Sequence, residues 1–124
     1  MPDKARANHL YYAFNLTVEQ WEILDRFQNS LCFICQKRQK SGKRLATDHR
    51  HSDGLIRGLL CSQCNRLLGR IESACWTPEH ITRLLQYIAN PPATIALAEE
   101  VFGYPGRVGT KKFRAWVRKK KKQK

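Results

Sequence analysis

Residues 31–69 read LCFICQKRQKSGKRLATDHRHSDGLIRGLLCSQCNRLLG, and this stretch decides the fold. Each end carries a Cys-x-x-Cys pair, and two such pairs supply the four soft thiolates of a tetrahedral zinc site. We therefore predict structural zinc here. Four unliganded buried cysteines and an iron–sulfur cluster are the alternatives. The predicted zinc ligands are Cys32, Cys35, Cys61 and Cys64.

The 25 residues between the two pairs are more than a linker requires, and they predict a β-hairpin. Residues 45–49 alternate apolar and polar side chains, residues 52–54 form a Ser-Asp-Gly turn, and residues 55–60 return as a second strand. Residues 65–72 then place apolar side chains at helical spacing. The second cysteine pair is therefore expected to open a helix.

Three side chains inside and just beyond the cysteine pairs carry the predicted chemistry, namely Asp48, His49 and Asn65. Asp48 and His49 are consecutive, so a strand without a bulge would point them to opposite faces. Separate directions suit a division of work in which Asp48 binds a metal ion and His49 acts on water. Asn65 adds an amide oxygen, which is a hard ligand suited to Mg2+ or Mn2+.

This set of groups matches the needs of phosphodiester hydrolysis. The reaction requires an attacking hydroxide, neutralisation of a pentacovalent dianion and help for the departing 3′ oxygen. An imidazole suits the first task, and one divalent ion on Asp48 and Asn65 suits the other two. His51 is a further catalytic candidate that would orient the phosphate or assist at the metal. The alternative is that His51 only packs against or caps the turn.

Helices are predicted on both sides of the hairpin. Thr17 and Gln20 form a capping-box pattern that opens a helix over residues 18–28. Its predicted inward face consists of Trp21, Leu24 and Phe27. Thr77, followed by proline, starts another helix, and residues 93–101 indicate one more short helix.

The formal net charge of +13 is the strongest compositional signal, and DNA, a polyanion, is the obvious partner. Residues 104–124 hold ten lysines or arginines and no acid. A disordered tail is one prediction for this segment, and even a disordered tail would contact phosphates. Arg57 and Arg66 flank the candidate site, where they either bind phosphate or are solvated charges. The predicted DNA-binding residues are Arg57, Arg66, Lys111, Lys112, Arg114, Arg118, Lys119 and Lys120.

Cysteine use and hydropathy predict a cytoplasmic protein. Four of the five cysteines fall into pairs and Cys75 is left over, which favours a thiolate metal site in a reducing compartment over a disulfide framework. No apolar run approaches the roughly 20 residues that span a bilayer. Residues 1–8 are polar, without the apolar core of a signal peptide. We therefore expect a soluble protein with no membrane partner.

The order LCFIC, LATDHRH and SDGLIRGLLCSQCNRLLG resembles the recombination endonuclease VII group of the HNH, or His-Me finger, nucleases, which are widespread in bacteriophages. The resemblance covers about residues 16–88. It implies an α+β fold with a small ββα-metal core, a four-cysteine zinc site and flanking helices. It also implies that His49 is the general base and that Asp48 and Asn65 hold the catalytic Mg2+ or Mn2+. A phage-encoded chain would act in the cytoplasm of the bacterial host.

Two departures from the best-known junction-resolving member of that group concern the substrate. That member has a histidine shortly before its Asp-His motif and a glutamate three residues after the matching asparagine, where this chain has Ala46 and Leu68. Cleavage is expected to survive these changes, whereas a preference for Holliday junctions is left open. A homodimer is also left open, because that member has a longer helical C-terminal half.

We therefore expect three parts: an arm over residues 1–15, a zinc-stapled nuclease domain over residues 16–102 and a basic tail over residues 103–124. The leading hypothesis is a divalent-metal-dependent endonuclease that cuts duplex or branched DNA to 5′-phosphate and 3′-hydroxyl ends. The alternative is a non-catalytic zinc-ribbon-like DNA-binding module. That alternative leaves the Asp-His pair and the asparagine unexplained.

Overall fold

The computed structural model describes residues 3–123, and these residues form six helices and one two-stranded sheet. The elements in chain order are α1 (Lys4–Phe14), α2 (Val18–Phe27), β1 (Ala46–His49), β2 (Ile56–Leu60), α3 (Ser62–Ser73), α4 (Pro78–Ala89), α5 (Pro92–Leu97) and α6 (Lys111–Lys122). The prediction of a mixed chain with helices on both sides of a small sheet is confirmed. No helix within the described residues is both long enough and apolar enough to cross a membrane.

The chain divides into two compact units, Met1–Trp76 and Thr77–Lys124. The first unit contains the sheet, and its core is formed by α1, α2, the two strands and the start of α3. Helix α3 contacts both strands, while α2 contacts α1 and β2. The buried apolar residues of this core are Leu10, Leu16, Trp21, Cys32, Leu45, Leu59, Leu60 and Cys61. The division of the chain into an arm, a nuclease domain and a basic tail stays a prediction.

The two strands form the predicted antiparallel hairpin, and the hairpin contains a β-bulge. Asp48 pairs with Gly58, but the next residue, His49, pairs with Ile56. Arg57 is therefore an extra residue on β2, which bends the strand and redirects nearby side chains. The extra residue belongs to β2, whereas Asp48 and His49 are consecutive on β1, so the bulge does not by itself turn these two side chains toward one centre.

Helix α2 begins as the sequence predicts. The Thr17 hydroxyl accepts from the Gln20 backbone N–H, and the Gln20 side chain accepts from the Thr17 N–H, so the capping box is complete. Trp21 is buried, but Phe27 is 79% exposed, and its predicted inward position is wrong. At 3.6 residues per turn, a residue six positions after Trp21 lies about 120° away from it around the helix. A strict spacing of three therefore drifts off the buried face.

The Gln28 side chain joins the end of α2 to the outer edge of β2. Its Oε1 accepts from the Leu59 N–H at 2.9 Å, and its Nε2 donates to the Leu59 carbonyl at 2.8 Å and to the Leu31 carbonyl at 2.9 Å. This amide thus bonds to β2 as a neighbouring strand would. A Cβ on Gly58 would lie 3.1 Å from the same Oε1, so glycine allows the close approach.

The second unit consists of α4, α5 and α6. Thr77 caps α4 with proline at the first helical position, as predicted. Helix α5 ends four residues before the predicted limit, because Ala98 adopts a left-handed conformation with φ of 57°. The basic segment contains α6, so most of it is helical, and Tyr104 packs against Phe113 and Trp116 with ring centroids 5.4 Å apart in both pairs.

Candidate metal centre and active site

Four cysteine sulfurs converge in the first unit. Cys32 and Cys35 follow α2, Cys61 caps the N-terminus of α3, and Cys64 lies in its first turn. All four Sγ atoms lie within 4.8 Å of one another, and those of Cys35 and Cys61 are 3.9 Å apart. A tetrahedral site with Zn–S bonds of about 2.3 Å places its sulfurs about 3.8 Å apart. The cluster is therefore positioned to bind a metal ion, and its ligand chemistry is that of structural zinc.

The cysteines differ in acidity. Burial acts to raise the pKa of Cys32, but hydrogen bonds from surrounding backbone groups outweigh it and lower that pKa to about 6. Burial, hydrogen bonds among the sulfurs and the charge of Cys32 raise the pKa of Cys64 to about 12. Ionisation of the Cys32 thiol is thus favoured, whereas ionisation of the Cys64 thiol is opposed. A dication provides the charge that allows all four thiols to ionise together.

Local hydrogen bonds shape both sides of this cluster. The Cys32 N–H donates to the Lys37 carbonyl, and the Gln36 N–H donates to the Cys32 carbonyl, each at 2.9 Å. On the helix side, the Gln39 side chain accepts from the Ser62 N–H at 3.1 Å and donates to its hydroxyl at 3.0 Å. These contacts bind the loop between the cysteine pairs to the start of α3. The hairpin and the helix are thereby held together at the cluster.

Asp48 is buried, with 7% of its surface exposed, and it is paired with Arg57. The Arg57 Nε donates to one carboxylate oxygen at 2.7 Å and its Nη2 donates to the other at 3.1 Å. The other edge of the same guanidinium donates to both Glu72 oxygens, at 3.0 and 3.1 Å. Hydrogen bonds to Glu72 and Asp48 raise the pKa of Arg57 above its ordinary value. Arg57 therefore bridges the hairpin and α3 between two carboxylates.

The charges of the two histidines also act on Glu72. The hydrogen bonds from Arg57 lower the pKa of Glu72, and the charges of Arg57, His51 and His49 add to that effect. Glu72 was not among the predicted site residues, although the sequence contains a signal for it. It lies seven residues after Asn65, and two turns of a helix bring such residues onto the same face.

His49 lies in a row of rings. Its centroid is 4.8 Å from that of His51 and 5.4 Å from that of Phe14 at the end of α1. His49 is half-buried, whereas His51 is exposed. The structure thus brings the two predicted catalytic histidines together. The Phe14 contact was missed because the sequence was not predicted to form α1.

Asn65 is half-buried in the first turn of α3, and its N–H donates to the Cys61 carbonyl at 2.9 Å. It lines a groove with residues of β1, whereas Asp48 lines a different cavity with Arg57. The carboxylate and amide oxygens fit a hard divalent cation in chemistry, and a carboxylate bound by one arginine retains about two of its four acceptor positions. A single ion held by both residues stays a prediction.

The predicted DNA contacts fall into three settings. Arg57 lies within the ion-pair network, Arg66 is exposed on α3, and the remaining residues are exposed on α6 in the second unit. Lys120 also lies over the Trp116 ring, 4.9 Å from its centroid. The phosphate contacts of all these residues stay predictions.

Comparison with known proteins agrees with the motif pattern. The family model described as recombination endonuclease VII matches residues 6–90. The Gene 59 protein of Mycobacterium phage L5 is 39% identical over 83 residues, which cover 67% of this chain and 49% of that protein. The Gene 59 protein of Mycobacterium phage D29 is 34% identical over 88 residues, which cover 71% of this chain and 52% of that protein. This chain spans about half the length of these relatives. No solved structure matches it.

Proposed function

This chain belongs to the recombination endonuclease VII family, and from that premise we propose that it is a divalent-metal-dependent DNA endonuclease. The observation that carries the proposal is the order of elements around the cysteine cluster. A hairpin bearing Asp48 and His49 is followed directly by a helix bearing Asn65. We interpret these elements as a ββα-metal core within a nuclease domain over residues 16–102. Phage relatives support action in the cytoplasm of a bacterial host.

His49 is the proposed general base. Packing between Phe14 and His51 restricts the orientation of its ring, which favours transfer of a proton from a water molecule at a fixed position. Attack by the resulting hydroxide on phosphorus breaks the bond to the 3′ oxygen, which takes a proton from water, so that 5′-phosphate and 3′-hydroxyl ends are left. Asp48 and Asn65 would hold a Mg2+ or Mn2+, which would supply positive charge for the dianionic transition state. His51 is proposed to orient the phosphate.

Zinc bound by the four cysteines has a structural role in this proposal. The cluster joins the loop before the hairpin to the start of α3, so it fixes the hairpin relative to Asn65. The two kinds of metal are separated by ligand chemistry. Soft thiolates hold zinc, while hard oxygens bind the catalytic ion.

The first test compares His49→Ala with the unmodified protein on supercoiled plasmid in Mg2+ or Mn2+. Loss of a general base lowers the rate by about 100-fold to 10,000-fold. The control is His80→Gln, which removes a histidine outside the site and retains a side chain suited to the capping box. Zinc content and circular dichroism verify the fold. Equal nicking by a folded His49→Ala protein would refute the general-base role.

The ion pair between Asp48 and Arg57 favours a second candidate, a non-catalytic zinc-ribbon-like DNA-binding module. In such a module, a buried aspartate would serve structure, and a guanidinium would satisfy both of its oxygens. Tight duplex binding without nicking, across Mg2+, Mn2+ and other divalent ions, would select this candidate over the endonuclease.

The form of the DNA is a separate question. Ala46 and Leu68 stand where the best-known junction-resolving member has histidine and glutamate, so we propose duplex nicking as the basal activity and junction resolution as an added one. A four-way junction and a linear duplex of the same sequence, cleaved side by side, distinguish them. Faster cleavage of the four-way junction than of the duplex would show that the chain is a junction-resolving enzyme.

We also propose a homodimer as the oligomeric state to test. Helix α4 leaves several apolar side chains of the second unit exposed. They are Ile81, Leu84, Leu85 and Ile88. Exposed apolar surface of this kind is typical of interaction sites. Sedimentation of the zinc-loaded protein should give twice the chain mass, and Leu85→Glu should return the monomer.

A further inference from the structure

A groove in the first unit runs between α1 and the start of β1. Its volume is about 390 Å3, and its walls come from α1, from residues 44–47 and from the first turn of α3. None of its lining residues was predicted to bind DNA. Its lining includes Arg6, His9, Phe14, Trp21, Arg44 and Asn65.

The groove has two arginines and no acidic residue in its lining. Arg6 and Arg44 contribute two positive charges, and His9 contributes an imidazole. The ion pairs found within residues 3–123 use neither of the two arginines. The Arg6 guanidinium lies 4.7 Å from the centroid of the buried Trp21 ring. A cation–π contact orients the guanidinium plane while its N–H edges stay available to a ligand.

Acidic residues lie on the opposite side of the same two arginines. A neighbouring depression is also lined by Arg6 and Arg44, but it contains Asp3, Glu19 and Glu22. A polyanion is repelled from that side and attracted to the groove, because the groove offers the same cations without the carboxylates. The distribution of charge therefore selects one side of Arg6 and Arg44 for a phosphate backbone.

The groove leads to the candidate active site in two ways. Asn65, a proposed ligand of the catalytic ion, is part of its lining. Phe14 is also part of the lining, and its ring contacts His49, the proposed general base. A strand bound in the groove would therefore have its next phosphate close to both groups.

We propose that this groove binds the sugar-phosphate backbone of the DNA strand that is cut, next to the scissile phosphate, with Arg6 and Arg44 each contacting a phosphate. The proposal rests on the proposed endonuclease function, since it names the path of the substrate into that site. It also gives α1 a role, because this helix forms one wall of the groove and holds His49 through Phe14. Contacts of this kind position DNA without reading its sequence.

The experiment measures binding of a short fluorescent duplex to the zinc-loaded full chain, without added Mg2+ or Mn2+, between 50 and 200 mM salt. The test variant combines Arg6→Gln with Arg44→Gln. Each phosphate contact contributes about 0.9 to the slope of log affinity against log salt, so the slope should fall by about two and affinity at 0.1 M salt by about tenfold or more. The matched control combines Arg26→Gln with Arg70→Gln, which removes the same charge outside the groove.

The control and the conservative variant decide the result. The Arg26 and Arg70 pair should leave the slope unchanged, and Arg6→Lys with Arg44→Lys should retain most of it, because lysine also binds phosphate as a point charge. Equal loss in both glutamine pairs, or no loss in the groove pair, would overturn the proposal.

Cleavage of plasmid by the same proteins separates this proposal from the endonuclease function. A chain that never nicks DNA but shows the smaller salt slope in the groove pair rejects the endonuclease function and retains the groove as a binding site for a DNA backbone. A chain that nicks DNA equally well and with the same slope in both glutamine pairs retains the function and rejects the groove.

Discussion

Asp48 carries a buried negative charge whose partner comes from the bulge of the opposite strand. Arg57 is the extra residue of β2, and its guanidinium lies between Asp48 and Glu72. The three side chains together carry a net charge of −1, from two carboxylates and one guanidinium. A divalent ion at Asp48 would change the sum to +1, which complements the single negative charge of a phosphodiester. These three side chains are thus anionic together, and a divalent ion bound at Asp48 would make the sum cationic.

Replacement of Arg57 tests this arrangement. Arg57→Gln leaves Asp48 buried without its cation, and removal of one partner of such a pair costs about 3 kcal/mol of the free energy of unfolding. Mn2+ should restore part of the loss if Asp48 is a metal ligand, because the ion replaces the missing positive charge. Urea unfolding with and without Mn2+ measures both effects. Arg50→Gln, which removes an exposed ion pair to Asp53, is the control and should cost little.

The acidity of the cysteines predicts how zinc affinity depends on pH. Cys64 has a pKa of about 12, so its thiol is protonated at neutral pH without metal, and zinc must displace that proton. Cys32, with a pKa of about 6, is already largely a thiolate above pH 7. Lowering the pH from 8 to 7 should therefore weaken zinc binding by about tenfold or more. Competition with a chromophoric chelator measures it, and equal affinity at both pH values would contradict a proton on Cys64.

Individual residues were predictable where spacing alone determines the geometry. The four cysteines come together because the first pair lies in a tight turn, the second pair lies at the start of α3, and the hairpin joins the two. The Asp48 pairing with Arg57 was not predictable in this way. It depends on a one-residue register shift, and such a shift changes which side chain on β2 lies beside Asp48. The hydrophobic pattern of β2 does not specify the shift.

At the scale of secondary-structure elements, Gln28 connects α2 to the sheet. Gln28→Ala removes three hydrogen bonds and leaves the Leu59 N–H and carbonyl without this partner, which should cost about 2 kcal/mol of stability. Thermal or urea unfolding of zinc-loaded protein measures the change. Gln63→Ala on the exposed side of α3 is the matched control and should stay within about 0.5 kcal/mol of the unmodified chain.

The start of a helix was predictable where a capping pattern in the sequence marks it. It was less predictable where packing against other elements determines where the helix lies. Thr17 and Thr77 mark the starts of α2 and α4 through side-chain hydrogen bonds with their own backbone. Helix α1 also has a side-chain cap, since Asp3 accepts from the Arg6 N–H, but Leu10 is the only buried residue of that helix as the structure describes it, so its apolar pattern is weak. Its position depends on tertiary contacts with α2 and the hairpin. These are the contacts that place Phe14 against His49.

At the scale of the whole molecule, charge is divided between the two units. Residues 104–124 carry ten of the 23 lysines and arginines and none of the acids, and α6 holds most of them on exposed positions. Deletion of residues 104–124 should weaken DNA binding and lower its salt slope by two or more, because each neutralised phosphate contributes about 0.9. Zinc content should be unchanged, since the cysteine cluster lies in the first unit.

A variant that changes charge without shortening the chain provides the comparison. Replacing residues 119–122 with glutamine removes four positive charges and keeps α6 in place. This variant should reproduce a large part of the loss caused by the deletion. An unchanged salt slope in both proteins would show that the basic segment contacts something other than DNA.

The side-chain amide at the end of α2 also affects how the molecule behaves in concentrated solution. A two-stranded sheet exposes main-chain donors and acceptors at its borders, and such borders recruit strands from other chains into aggregates. Here, Gln28 and the Phe33 N–H, which donates to the Leu59 carbonyl at 3.4 Å, occupy the outward groups of Leu59. A glutamine side chain therefore occupies the main-chain groups at the centre of this border of β2, and we expect Gln28→Ala to leave them available to strands of other chains.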